Sequence, residues 1–421
     1  MQHTIPFWLA VLININIVIG AGFFLQVQSI SRASGALAPV AWLMCGLLLV
    51  PLVNALAQLS LKYPRAGGIY IFSREQLGAW WGMVSGWSYY VGTAAANAAV
   101  GHALTLAIVD LPWISSVVQQ HNVPMLACDA VMIIIFTLFN LRNIDFLENA
   151  QLFFTSLKVI PLLALVLALP KLFAWQNVLA GGMPFDSLVP QLPGLLFAFI
   201  GIEACCSVMD KVENSKKNAA RLIMFSFAAI VAIYAVLQFA VLGVHGSRDV
   251  DPFLCLPNLF FQHPGLIAGA TLAIRLGLLA SYLAGFYGVF YFNNWNLHTM
   301  AKETGIVPLR FLTKLNASQV PWVAVLVQSA VVMVFLATAQ IGTLYVIAGL
   351  GTVIAYALSA IAFFAWRRSA SGVLAMLSCL LFFYACGNDL VQNGLMAGLP
   401  FVVILLLGLV AYGLLRTDKR A

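Results

Sequence analysis

Residues 191–218 read QLPGLLFAFIGIEACCSVMDKVENSKKN, an apolar run long enough to enter a bilayer and carrying an acid, Glu203, within it. A carboxyl group at bilayer depth costs about 2.5–3.5 kcal/mol even on lenient insertion scales, so it needs a partner, water or a proton. Its chemistry would be proton binding or gating, set against a plain structural hydrogen bond. Gly201, three residues after Ala198, weakens the helix and frees backbone groups to meet a ligand, or else allows close helix packing. Gly20-Ala21-Gly22 poses the same choice. Unwound, it turns amides and a helix N-terminus toward an anion such as a carboxylate; intact, it packs through small residues.

Lys158 lies about ten residues inside its apolar segment, NAQLFFTSLKVIPLL, which is deep for an amine that snorkels. An ammonium there could stand in for a bound cation and hold the first apolar segment to the fifth. Asn97, the lone amide of TAAANAAVGH, could touch a ligand or bond to a neighbouring helix. Phe197, Phe199 and Phe290 could form aromatic gates, although phenylalanine in such segments more often packs or faces lipid. Arg275 could snorkel, pair with an acid or line an outer vestibule.

Apolar segments must position these residues. The 421-residue chain is 62% hydrophobic and 8% charged, where a soluble domain has about 25% charged residues. It therefore reads as an all-α polytopic membrane protein. Apolar runs at about 6–31, 36–60, 79–109, 125–141, 148–169, 191–211, 220–245, 264–299, 320–338, 342–366, 372–386 and 394–415 make twelve transmembrane helices. Residues 315–366 lack Asp, Glu, Lys and Arg and exceed one crossing, so Gln340-Ile341-Gly342 is expected to divide them. The first run lacks a basic n-region and is read as a retained helix, not a signal peptide.

With the N-terminus inside, sixteen of the 21 basic residues fall in cytoplasmic connections, among them Arg65, Arg74, Lys211, Lys216, Lys217, Lys419 and Arg420. Arg32, Lys171 and Arg248 fall on the other side. That bias places both termini in the cytoplasm and accounts for the net charge of +7 without nucleic acid. The seven cysteines form no CxxC pair or Cys/His cluster, so no metal site is expected. Cys128 and Cys255 fall near the outer face, where a disulfide between them is allowed. No Walker motif, HExxH or nucleophile elbow is present, which argues against an ATP-driven pump, a hydrolase or any other enzyme, and no cofactor is implied.

Segments 1 and 6 lie five helices apart, run in opposite directions and each carry glycine near mid-membrane, the pattern of inverted five-helix repeats. IVIGAGFF (17–24), KYPRAGGIYIFSREQLG (62–78), FAFIGIEACCSVMDKVENSKKN (197–218) and MAKETGIVP (300–308) resemble signatures of the amino acid–polyamine–organocation (APC) superfamily, in order and separation, over residues 5–415. Within it, the run from Glu203 through Glu213 and Asn214 and the tail FFYACGNDLVQNGL (382–395) most resemble bacterial basic amino acid and polyamine antiporters.

The resemblance implies a LeuT-like fold with broken helices 1 and 6. Residues 1–169 would form the first inverted repeat, 190–366 the second, and 367–421 two peripheral helices with a short cytoplasmic tail. It implies that Gly20, Ala21 and Gly22 donate to a substrate carboxylate, while the backbone of Phe197, Ala198, Phe199, Ile200 and Gly201 receives its amino group. Asn97 and Phe290 would complete the substrate contacts, and Glu203 and Lys158 would couple protons or gate. Phe197 stands where a gating tryptophan is common, keeping the aromatic face and losing the indole donor. Lys158 is similar to a lysine of sodium-independent amino acid transporters in other branches, where it takes the place of a sodium ion, and its charge disfavours a dicationic substrate.

The expected function is sodium-independent secondary transport of amino acids by alternating access, exchanging an amino acid for a related amino acid or amine. Proton-coupled uptake through Glu203 is the alternative, and a non-transporting membrane sensor is the rival of another class. The expected setting is a bacterial inner (plasma) membrane, with an amino acid, polyamine or decarboxylation product as small-molecule substrate. The lipid bilayer is the other partner, and a homodimer is among the allowed assemblies.

Overall fold

In a bilayer, backbone N–H and C=O groups must be satisfied within the segment, so apolar runs become helices. The computed structural model describes residues 5–64, 67–142, 144–180, 182–204, 206, 212–304 and 307–417, and these are helical apart from short connections and one bridge between Ile5 and Val212. Arg65, Lys211, Lys419, Arg420 and residues 305–306 of the MAKETGIVP motif lie outside the described residues.

The first apolar segment forms two helices, α1 (Phe7–Val18) and α2 (Ala21–Ser34). A 3-10 turn at Gly35–Leu37 leads into α3 (Ala38–Lys62). There follow α4 (Gly68–Leu77), α5 (Ala79–Val109), α6 (Pro112–Gln120), α7 (Met125–Asn140), α8 (Ile144–Leu172) and α9 (Trp175–Ala180). The second half holds α10 (Leu192–Phe199), α11 (Ser215–His245), α12 (Leu256–Phe260), α13 (Pro264–Thr304), α14 (Trp322–Thr338), α15 (Ile341–Arg367), α16 (Ala370–Asn393) and α17 (Leu399–Thr417).

Among the described residues, seven helical stretches are long and apolar enough to cross a membrane: Ala21–Lys62, Ala79–Val109, Glu148–Leu172, Lys217–His245, Pro264–Thr304, Ile341–Arg367 and Ala370–Gln392. The first is 42 residues long, about twice one crossing, and turns at Gly35, whose φ of +51° favours glycine. Phe7–Val18, Met125–Asn140, Trp322–Thr338 and Leu399–Leu414 are shorter apolar helices.

The interior is built around α5, which packs on α15, α13 and α4, while α3 packs on α11 and α16, and α8 on α13. α17 sits at the edge of this bundle, where the Trp87 indole N–H of α5 donates to the Ile404 carbonyl at 3.1 Å. The loop after the second segment contains α4, a helix that composition did not separate from the loop. α16 is longer than the expected 372–386, because polar Asn388, Asp389 and Gln392 end the apolar run without ending the helix. The 315–366 stretch divides at Ala339-Gln340, within one residue of the expected Gln340-Ile341-Gly342. Cys128 and Cys255 are free thiols, contrary to the disulfide allowed by their placement. Burial pushes the Cys255 thiol up to about 11, so it stays protonated, beside the His245 ring at 3.7 Å.

Candidate functional site

The two interrupted segments meet at one place. α1 ends at Val18, Ile19 and Gly20 leave helical geometry, and α2 begins at Ala21, so the first amides of α2 lack helical acceptors. α10 ends at Phe199; Ile200 is extended and Gly201 has φ +107°, a conformation a side chain would strain. The carbonyls at the end of α10 thus lack helical donors. An N-terminal end and a C-terminal end, of opposite dipole, face a shared space.

That space is a cavity of about 30 Å³ between α1, α2, α10, α5 and α13, lined by Ile17, Val18, Ala21, Gly22, Ala96, Asn97, Val100, Phe197, Ala198, Ile200, Gly285 and Val289. Its volume is near that of one water molecule in the liquid. Close packing and helix breaking, posed above as alternatives for the first glycine motif, are both present. A Cβ on Gly22 would lie 2.6 Å from the Cα of Ala198, so α2 touches α10 backbone to backbone. A Cβ on Gly20 would lie 3.0 Å from the Cα of Gly285 on α13.

Four buried side chains fasten the breaks. The Lys158 ammonium on α8 donates to the carbonyls of Asn16 and Ile19 at 2.7 and 2.6 Å. It therefore closes the open C-terminal end of α1 with a charge of the sign the helix dipole favours. The Asn16 amide donates to the side-chain oxygen of Gln151 and, at 3.1 Å, to its carbonyl, and Gln151 in turn donates to Ala284 on α13 at 2.9 Å. The Tyr234 hydroxyl on α11 shares its hydrogen between Val18 O (2.7 Å) and Ala198 O (3.0 Å), one carbonyl from each interrupted segment. Nothing in the sequence around Tyr234 or Gln151 marks them out.

Glu203 is 1% exposed and has a set of donors built for it. Tyr89 on α5 donates to Oε1 at 2.7 Å, Tyr356 on α15 donates to Oε2 at 2.5 Å, and the Gly201 amide approaches Oε1 at 3.4 Å. Among the alternatives of partner, water or proton, the acid has partners. Asn14 on α1 donates to the Ile202 carbonyl at 3.2 Å, tying the same turn to the first segment.

The remaining expected site residues separate. Asn97 lines the cavity, is 1% exposed, and its amide nitrogen has no hydrogen-bond partner. Phe197 lines it too and packs on Tyr345 of α15, ring centroids 4.5 Å apart. Phe199 instead joins Trp42, Phe227 and Tyr234, and Phe290 packs on Phe286 at 5.4 Å. Neither of these rings is part of the cavity wall. Arg275 donates to the Asp110 carbonyl at the end of α5 (3.2 Å), on an exposed surface. No group of three or more potential metal-ligating residues occurs among the described residues.

Comparison with known proteins gives this geometry a context. A family model described as amino acid permease matches residues 10–416. An uncharacterized transporter of Mycobacterium tuberculosis is 27% identical over 367 residues, 83% of this chain and 77% of its own. The L-lysine transport protein of Corynebacterium glutamicum is 24% identical over 358 residues, 80% of this chain and 68% of its own. The gamma-aminobutyric acid permease of Bacillus subtilis is 23% identical over 337 residues, 74% and 67% of the two chains.

Proposed function

The chain belongs to the amino acid permease family, within the APC superfamily, and on that premise we propose that it is a sodium-independent transporter of amino acids working by alternating access. Amino acid transport is the common ground of the family. The finer reading rests on one observation: the N-terminal end of α2 and the C-terminal end of α10 flank one cavity, with the Lys158 ammonium bonded to the carbonyls of the α1 break. A zwitterion fits such a pair of helix ends. Its carboxylate would accept from the amides of Gly20, Ala21 and Gly22, and its ammonium would donate to carbonyls between Phe197 and Gly201.

Lys158 takes the part that a sodium ion would otherwise play, a positive charge under the carbonyls of Asn16 and Ile19. Phe197, on its Tyr345 partner, is the outer cover of the cavity, and Glu203 is the proton-responsive group beside it. We read the apolar segments as twelve crossings with both ends cytoplasmic, residues 1–169 and 190–366 as inverted repeats, and 367–421 as periphery. The preferred mode is exchange of one amino acid for another or for an amine; proton-coupled uptake is the second reading, favoured by the buried Glu203. Reconstitution into liposomes separates them. Exchange requires uptake of labelled amino acid only into preloaded vesicles, whereas coupling to protons gives uptake driven by an imposed pH gradient. Uptake that depends on sodium would overturn the role given to Lys158.

A further inference from the structure

We infer that the side-chain part of this cavity selects neutral amino acids with a short side chain bearing an acceptor oxygen, of the serine, threonine or asparagine kind, over lysine and arginine. The inference rests on the reading of the cavity as the substrate site. With the two helix ends assigned to the carboxylate and ammonium, the walls left for a side chain are Ala96, Asn97 and Val100 on α5 and Gly285 and Val289 on α13.

No acid is among them. The buried acids of the described residues are Asp129, Glu148 and Glu203, and none lines the cavity. Asp129 is turned to His102 of α5, 2.8 Å away. Glu203 already receives Tyr89, Tyr356 and the Gly201 amide. A second ammonium or a guanidinium in this space would be a buried charge without a counter-charge, the arrangement that proteins penalise most. The Lys158 ammonium on the Ile19 carbonyl, two residues from Ala21, adds a like charge nearby.

What the wall does offer is a donor. The Asn97 amide nitrogen is buried and unpartnered in a cavity otherwise made of Ala, Gly, Val, Ile and Phe side chains. A buried donor left unmade carries its full desolvation cost, so a ligand that supplies an oxygen is favoured over one that does not. Small and β-branched walls leave room for a short chain only.

The test is competition in reconstituted vesicles loaded with an amino acid mixture, measuring uptake of labelled serine against unlabelled serine, threonine, asparagine, alanine, lysine and arginine. Serine, threonine and asparagine are expected to compete best, alanine more weakly, and lysine and arginine at least about tenfold less well. The variant Asn97→Asp supplies the missing counter-charge and is expected to raise lysine over serine by about tenfold, one charge-assisted hydrogen bond. Preferential uptake of labelled lysine or arginine by the unaltered protein overturns the inference and leaves the transport reading standing. Absence of uptake of every labelled amino acid overturns the transport reading itself.

Discussion

Replacing Lys158 by methionine keeps the length and apolar stem of the side chain and removes only the ammonium. The ammonium makes bonds of 2.7 and 2.6 Å to the carbonyls of Asn16 and Ile19, both at the open end of α1. A hydrogen bond to a charged group contributes about 1.5–3 kcal/mol, and a buried acceptor left without a donor carries a penalty of similar size. Two such bonds set an upper range of about 3–6 kcal/mol, and because they share one donor group we take the lower edge, about 3 kcal/mol. At 1.4 kcal/mol per decade this is roughly a hundredfold loss in transport efficiency, if the break must hold its shape for substrate to bind. The assay is exchange of labelled amino acid in liposomes, with thermal unfolding of the purified variant as control. A variant that melts near the parent temperature and exchanges a hundredfold more slowly supports the role; wild-type exchange by Lys158→Met refutes it.

Other perturbations test the neighbouring joints. Gly22→Ala puts a Cβ 2.6 Å from the Cα of Ala198; backbone must move, at about 1–3 kcal/mol, so affinity should fall by about tenfold. Gly342→Ala, with nothing within 4 Å of the added carbon, should leave transport unchanged. Glu203→Gln keeps the volume and removes the titrating group, so the pH profile of transport should flatten; an unaltered profile assigns Glu203 to structure alone. Tyr234→Phe removes the hydroxyl that joins Val18 and Ala198. KM should rise by about fivefold or more, for a loss of about 1–3 kcal/mol, with expression retained.

Most of the helices could be read from the sequence because the bilayer leaves the backbone no other way to satisfy itself. Where reading and structure part, the cause is local. Polar residues near the C-terminal end of α16 hide a helix that continues through them to Asn393. Residues 68–77 form α4, a helix of 10 residues that is too short to stand out as a crossing. The breaks themselves could be located from Gly20, Gly22 and Gly201, since only a residue without a side chain suits the φ of Gly201 or the Gly22–Ala198 approach. The residues that bind the breaks together could not. Tyr234, Gln151, Tyr89 and Tyr356 act through partners 36 to 216 positions away in the chain, and no local pattern encodes such pairs.

The same logic explains why Asn97, Phe199 and Phe290, all candidates in the sequence, are not equal in the structure. A phenylalanine satisfies itself by packing anywhere, and Phe199 and Phe290 do so against Trp42 and Phe286. An amide cannot, and the Asn97 nitrogen is buried beside the cavity with no partner. Ser88 and Tyr90 on the same helix also leave a buried polar atom without a partner, but neither lines the cavity, and Asn97 does. Lys158 and Glu203 are the opposite case, ionisable groups whose partners are built in: two carbonyls of the first break for Lys158, and the Tyr89 and Tyr356 hydroxyls for Glu203. What sets Asn97 apart is the place of its open donor, on the cavity wall, where the substrate-site reading leaves it for a ligand.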